Sequence, residues 1–227
     1  MVRKSTVICA KAIVKDYEIG GNTNRALNGV NLKISKGEFL MITGRNGSGK
    51  STLLHLMALL DDLTSGNVVI SEEQVSNLSE RDKSKLRLSE LGYIFQEYAL
   101  IQELTALENV MLPSMMSNSK KIARRKAEEL LKKVDLYHKE NRLPTQLSGG
   151  EQQRVAIARS LVNNPKIIFA DEPTANLDSV ASKEVLELFK KLNQEDGMTI
   201  IMVTHEPEEL AYATRVVNMK DGKLHEK

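Results

Sequence analysis

The sequence predicts an α/β fold built on a largely parallel central sheet. Two observations carry this reading. Short apolar runs of strand type alternate with segments of helical periodicity along the chain, and several of those runs are continuously apolar, as strands buried on both faces are. A third observation concerns the middle of the chain, which is helical and more polar over roughly 97–160. No Pro/Gly/Ser-rich linker flanks it, so it reads as a helical lobe inserted into one domain spanning 1–227. The core lobe is then formed by roughly 1–96 and 161–227.

The elements follow in order. Val30, Leu32 and Ile34 alternate with polar neighbours, the period of a half-buried strand. Lys36-Gly37-Glu38 is a turn, and Phe39-Leu40-Met41-Ile42-Thr43 is a continuous apolar strand. After Gly44 the pattern becomes helical through Leu53, Leu54, Leu56, Met57 and Leu60, until Thr64-Ser65-Gly66 breaks it before the strand Val68-Val69-Ile70. Ile122, Ala123, Ala127, Leu130, Leu131 and Val134 share one helical face. A further helix is predicted from Glu151 through Val155, Ala158 and Leu161-Val162, stopping before Pro165. Next come the strand Ile167-Ile168-Phe169-Ala170, a helix through Val185, Leu186, Leu188, Phe189 and Leu192, and the strand Thr199-Ile200-Ile201-Met202-Val203. Val216-Val217-Asn218-Met219-Lys220 with Asp221-Gly222 reads as a strand entering a tight hairpin.

Composition narrows the function classes. Hydrophobic residues at 41% and charged residues at 27% of 227 describe an ordinary globular chain, with no tract that reads as disordered. A formal net charge of +2 is too small to argue for a nucleic-acid partner. A single cysteine, Cys9, excludes an intramolecular disulfide and fits a reducing compartment. No apolar run approaches the roughly 18–20 residues that cross a bilayer. After Arg3 and Lys4 only Val7-Ile8-Cys9-Ala10 precedes Lys11, too short for the apolar core of a signal peptide. The expectation is a cytoplasmic protein whose membrane role, if any, comes through a partner.

Two motifs carry chemistry. Gly44-Arg45-Asn46-Gly47-Ser48-Gly49-Lys50-Ser51 fits the P-loop pattern and lies between an apolar strand and a helix, the context that motif requires. Its glycines let successive backbone N–H groups turn toward phosphate oxygens, and the following helix offers its positive end to the same anion. Lys50 is expected at the β- and γ-phosphates, with the hydroxyl of Ser51 on Mg²⁺. The nucleotide-binding stretch is taken to continue through Thr52. Asp171-Glu172 closes an apolar strand, where a parallel sheet gathers its ligands. Asp171 is the candidate Mg²⁺ holder, and Glu172 the candidate general base that polarises the attacking water.

Leu147-Ser148-Gly149-Gly150-Glu151, followed by Gln152-Gln153-Arg154, completes the picture. Ser148 can cap the helix beginning near Glu151, and the glycines leave backbone N–H groups open to an anion. With this run the chain resembles the ATP-binding cassette (ABC) ATPases over essentially its whole length. The resemblance implies a P-loop NTPase of ABC type, with an N-terminal antiparallel β region beside the parallel core and an inserted α-helical lobe. It also implies ATP and Mg²⁺ as ligands and ATP hydrolysis as the reaction. Gln96, in Tyr93-Ile94-Phe95-Gln96, matches the glutamine that senses Mg²⁺ and the attacking water; His205, after Val203-Thr204, matches the histidine at the γ-phosphate. Asn176-Leu177-Asp178 matches the D-loop, with Asp178 near the opposite subunit's site, and Tyr17 stands where the family places an aromatic on adenine. Ser148, Gly149 and Gly150 are implied to meet ATP held by a second cassette, so that ATP joins two subunits. Departures are modest: Arg45-Asn46 where Pro-Ser is frequent, Asn176 where a small residue is usual, and Glu206 where Asp is common.

Absences and local likeness select the kind of cassette. There is no sustained heptad run as in chromosome-organising members, no second cassette as in translation-type members, and no set of zinc-binding cysteines as in excision-repair members. The stretches from Phe95 to Ile101, from Leu104 to Val110 and from Ala170 to Asp178 are similar to the lipoprotein-release and macrolide-export branch. The resemblance therefore implies an exporter or mechanotransmission complex with transmembrane permease subunits, the chain lying peripherally on the inner face of the cell membrane. The segment around 97–112 would form part of the groove that receives a short cytoplasmic coupling helix of the permease. The alternative is a regulatory, cell-division-like ATPase that transports nothing. The basic cluster Lys120, Lys121, Arg124, Arg125 and Lys126 reads as a solvated helix face.

Overall fold

A computed structural model describes residues 5–226. Arg3 and Lys4, weighed above as a leader, lie outside the described residues. The chain opens on two long antiparallel strands, β1 (Thr6–Ile19) and β2 (Asn22–Ser35). β3 (Phe39–Gly44) then leads into α1 (Lys50–Met57). β4 (Ser65–Ile70) and β5 (Glu73–Gln74) complete a four-stranded antiparallel sheet in the order β2-β1-β4-β5. α2 (Glu80–Glu90) precedes β6 (Leu91–Ile94), and α3 (Ala106–Met115), α4 (Lys120–Lys133) and α5 (Gly149–Leu161) follow. β7 (Ile167–Asp171), α6 (Ser179–Gln194), β8 (Thr199–Val203), β9 (Arg215–Lys220) and β10 (Lys223–Glu226) end the chain.

The second sheet has six strands in the order β10-β9-β3-β8-β7-β6, parallel throughout except for the β9–β10 hairpin. The predicted α/β class, parallel core and antiparallel region are thus present. Both faces of the parallel sheet are covered, which explains its continuous apolar runs. Along β3, Leu40 and Ile42 pack with Leu53 and Leu54 of α1, while Phe39 and Met41 pack with Val185 and Phe189 of α6. A separate buried cluster joins α3, α4 and α5 through Leu107, Val110, Ala123, Ala127, Leu131 and Val155. Asp221 and Gly222, at φ +49° and +71°, make the hairpin turn between β9 and β10.

Some boundaries differ from expectation. α1 stops at Met57, and Leu60 beyond it is 42% exposed instead of continuing the apolar face. Ile122 likewise lies outside the packed face of α4, at 41% exposure. α5 begins at Gly149, not near Glu151, because Ser148 and Glu151 form a reciprocal capping box that sets the first turn. β1 is not legible as alternation because its register against β2 shifts between Ala10 and Ile13 and again before Asp16, with Ala12 at φ +48°. Among the described residues no helix is long and apolar enough to cross a membrane.

Candidate nucleotide site

β3, fully buried from Phe39 to Ile42, brings the loop 44–51 to the carboxyl edge of the parallel sheet. Two glycines there cannot be replaced without moving backbone. At Gly44 (φ +149°) a Cβ would fall 2.2 Å from the Met219 carbonyl oxygen, and at Gly49 (φ +101°) 2.7 Å from that of Ala26. Arg45, Asn46 and Gly47 form the exposed tip. Gly49 is the N-cap of α1, which has no side-chain cap and no acid in its first turn. The positive end of that helix is therefore offered to an anion instead of a neighbouring carboxylate. Lys50 is only 5% exposed; its Nζ donates to the carbonyls of Gly44 (3.0 Å) and Arg45 (3.2 Å). Ser48 Oγ is buried and has no hydrogen-bond partner among the described residues. A cleft of about 850 Å³ runs from this loop to His205 and Asn218–Asp221 by way of Met219 and Lys220. Its size suits a nucleotide-sized ligand.

β7 and β8 add the acid, base and histidine. Ser51 Oγ donates to Asp171 Oδ1 at 2.9 Å, so a hydroxyl and a carboxylate oxygen meet where a hard cation such as Mg²⁺ finds its preferred donors. Burial lifts the Asp171 carboxyl above its ordinary range and the Glu172 charge adds to the rise, against the opposing pull of Ser51, His55 and Lys50. Glu172 turns the chain at φ +42°, a conformation a side chain adopts only under constraint; its N–H bonds the Val203 carbonyl at 3.1 Å. Glu172 Oε1 lies 3.8 Å from Lys50 Nζ, and Oε2 lies 3.1 Å from His205 Nδ1. The other ring nitrogen of His205 is 3.1 Å from Glu206 Oε1.

The fold thus gathers Lys50, Ser51, Asp171, Glu172 and His205 at one sheet edge. Other predicted residues stand elsewhere. The Gln96 side chain is exposed and makes no hydrogen bond to Ser51, Asp171 or Glu172, while its carbonyl accepts from Asn176 Nδ2 at 3.2 Å. Its loop is drawn toward α5 by Arg159, whose guanidinium donates to the carbonyls of Tyr98 and Ala99. Tyr17 is anchored by its hydroxyl to Asp61 (2.8 Å), with Lys15 Nζ 4.7 Å from its ring centre; Thr52 lies close enough to influence the phenol. Asp178 caps α6, its carboxylate accepting from Ala181 N–H at 2.8 Å. Ser148 Oγ accepts from Glu151 N–H at 3.3 Å, and Glu151 Oε2 from Ser148 N–H at 2.9 Å. No hydrogen bond or ion pair among the described residues links Ser148, Gly149 or Gly150 to the residues around Lys50.

Two neighbours of Asp171 escaped the sequence reading. His55 Nε2 lies 3.6 Å from Asp171 Oδ2, and the Tyr93 ring lies 5.8 Å from the His55 ring. Burial, with Asp171 beside it, pushes the Tyr93 phenol far above its ordinary range. His55 had a readable signal: it follows Ser51 by four residues on one helix and so shares its face. Tyr93 had none beyond its place in a strand.

The ABC transporter family matches residues 27–175 of the chain. The chain is 48% identical over 215 residues to the lipoprotein-releasing system ATP-binding protein LolD of Aquifex aeolicus, covering 94% of itself and 92% of that protein. It is 49% identical over 208 residues to the macrolide export ATP-binding/permease protein MacB of Chlorobium luteolum, covering 92% of itself but 31% of that longer chain. Its fold superposes, at a TM-score of 0.89 and 42% identity, on a dimeric post-hydrolysis state of the ATP-binding cassette MJ0796 bound to ADP and Pi; the match covers 96% of this chain and 98% of the other. MJ0796 is a protein of Methanocaldococcus jannaschii. Likeness of this extent in sequence and fold, around a loop and sheet edge shaped for a nucleotide, makes this chain a member of the ABC transporter family, an ATP-hydrolysing subunit of such a transporter.

Proposed function

We propose that the five residues gathered at the sheet edge are the hydrolytic centre and that a second cassette completes it. The chain binds ATP with Mg²⁺ and works with permease subunits and a partner cassette, as its family does. In our reading the loop from Gly44 to Thr52 holds the phosphates, with Lys50 countering their charge. Ser51 and Asp171 would hold Mg²⁺, which when bound would neutralise charge on the phosphate oxygens. Glu172 accepts a proton from water as that water attacks the γ-phosphate, and ADP leaves. His205, in contact with Glu172, fixes that carboxylate and faces the γ-phosphate. Tyr17 stacks on adenine. Gln96 reaches the site only after its loop moves. Ser148, Gly149 and Gly150 act on ATP held by the partner, with Asp178 near the same interface.

The observation that carries the reading is the Glu172 carboxylate, bracketed by Lys50 at 3.8 Å and His205 at 3.1 Å beside the Ser51–Asp171 pair. Glu172→Gln keeps the shape of this group and removes its basicity. ATP binding should survive and an ATP-dependent dimer accumulate, while phosphate release falls by about 10²-fold or more. A variant that hydrolyses ATP at the parental rate removes Glu172 from this role.

The same reading extends to the partner and the place of work. An apolar hollow of about 290 Å³ between the lobes is lined by Leu60, Tyr93, Phe95, Ala99 and Pro113. Exposed Ile101, Leu112, Met115 and Met116 surround the same part of the chain. This supports docking of a permease's cytoplasmic helix there, which would hold the chain at the inner face of the cell membrane. Similarity to LolD and MacB favours the export or mechanotransmission branch. In the basic helix α4, Arg124 pairs with Glu128 and Arg125 with Glu129, which supports a solvated face.

A further inference from the structure

Beneath the hydrolytic edge lies a buried carboxylate that the reaction described so far does not use. Glu209 sits in the short 3₁₀ turn Pro207–Tyr212 and is 5% exposed. Thr174 Oγ1 donates to its Oε1 at 2.5 Å, and Thr204 Oγ1 donates to its Oε2 at 2.5 Å. No lysine, arginine or histidine among the described residues forms an ion pair with it. Burying a carboxylate without a counter-ion opposes folding, and an apolar side chain of that volume would avoid the cost. The two hydroxyls that satisfy it come from different loops. Thr174 follows Glu172 by two residues in the loop after β7, and Thr204 immediately precedes His205 in the loop after β8. The Thr204 hydroxyl also accepts from Glu206 N–H at 3.0 Å, so the backbone is held on both sides of His205. Each oxygen of Glu209 thereby fixes one member of the pair whose side chains meet at 3.1 Å.

We propose that Glu209 is a positioning residue for hydrolysis: it clamps the loop of Glu172 to the loop of His205 and sets their separation. The inference rests on the reading of Glu172 and His205 as the hydrolytic pair. It predicts a specific division of effects. Nucleotide binding depends on the loop 44–52 and the first turn of α1, which Glu209 does not touch, so affinity should be spared and turnover should not.

The test compares Glu209→Leu, Glu209→Gln, Thr174→Val and Thr204→Val in the full chain, measuring steady-state phosphate release and ATP affinity. Glu209→Leu should lower kcat by about tenfold or more, since small misplacements of reacting groups are costly, with Kd for ATP within about threefold. Glu209→Gln should recover most of the rate, because its amide oxygen accepts from one threonine while its N–H donates to the other. Combining Glu209→Leu with Thr204→Val should cost little beyond the worse single change, the mark of groups acting as a unit. Parental kcat in Glu209→Leu overturns the proposal. So does Glu209→Gln failing as badly as Leu, or a loss of affinity that parallels the loss of rate. If Glu209→Leu does not fold, the two threonine variants decide: each should lower kcat at unchanged Kd, and unchanged kcat in both overturns the clamp. Glu172→Gln is run alongside; full turnover in that variant overturns the hydrolytic pair itself, whatever the Glu209 variants do.

Discussion

Ser148→Ala separates the local work of the helix start from its work across a dimer. Within the chain the substitution removes one long hydrogen bond, the 3.3 Å contact to Glu151 N–H, and leaves intact the 2.9 Å bond from Ser148 N–H to Glu151. Loss of a serine N-cap costs about 0.5–2 kcal/mol, and a long bond with its reciprocal partner retained belongs at the lower end. For a chain of this length that is a fall in Tm of about 1–4 °C. Ser79 supplies a control for cap loss: it caps α2, accepting from Asp82 N–H at 3.2 Å, and its hydroxyl also donates to Asp82 Oδ2 at 2.7 Å. Ser79→Ala should lower Tm at least as much as Ser148→Ala, with parental turnover. Ser148→Ala should lower phosphate release by about 10²-fold, the cost of removing one donor from a reacting oxyanion, while ATP affinity stays within about twofold. Mixing Ser148→Ala with Lys50→Ala then tests the geometry directly. A mixed dimer contains one site with an intact Lys50 facing an intact Ser148, so the mixture should hydrolyse ATP well above either variant alone. A mixture no faster than the variants alone, equal losses of turnover in the two serine variants, or affinity lost in step with turnover would refute action across the interface.

Two further outcomes concern Tyr17 and its partner Asp61. Burial acts to raise the Asp61 carboxyl, but bonds from Lys15, Tyr17 and the Asp62 N–H outweigh it and hold the group below its ordinary range. A lowered folded value means stability that is present above the ordinary carboxylate range and lost as pH falls through the depressed one. Asp61→Asn should therefore lower Tm by about 2–4 °C at neutral pH, for a pair of modest worth, and the difference should close in acid; a gap independent of pH would contradict this. Tyr17→Ala should weaken ATP binding by about tenfold, in line with one base on an aromatic face, whereas Tyr17→Phe keeps the affinity because the hydroxyl serves Asp61. Calorimetric titration reads both, and equal affinity in the alanine variant removes Tyr17 from the site.

What could be read without coordinates was whatever chain order alone specifies. β3, β7 and β8 are apolar throughout because the parallel sheet is covered on both sides, and the P-loop motif joins a strand to a helix over adjacent residues. β1 was illegible because bulges break its alternation, and α2 because seven of its eleven positions are charged and only its cap declares it. In the site, Lys50, Ser51, Asp171, Glu172 and His205 follow motif and strand end. Glu209 could not be read that way. Its partners Thr174 and Thr204 are 35 and five residues away, and no spacing rule joins a 3₁₀ turn to two separate loops.

The start of α5 is better understood beside the start of α3. Both helices open on a capping box, Thr105 with Glu108 in α3 and Ser148 with Glu151 in α5. Capping therefore does not require glycine, since α3 places Ala106 and Leu107 where α5 has Gly149 and Gly150. The glycines answer a different demand. A Cβ on Gly149 would lie 2.9 Å from the Tyr98 hydroxyl, and one on Gly150 2.8 Å from Ala181 Cβ. The helix end is thus pressed between the segment after β6 and the first turn of α6. Tyr98 donates onward to the Asn176 carbonyl, and Asn176 to that of Gln96. Ser148 nonetheless stays exposed and Gly149 half-buried. Side chains at 149 and 150 would crowd the first turn and spoil that packing. The glycines thus let α5 seat closely on its own chain and put no Cβ over its first turn, where our reading brings ATP held by a partner.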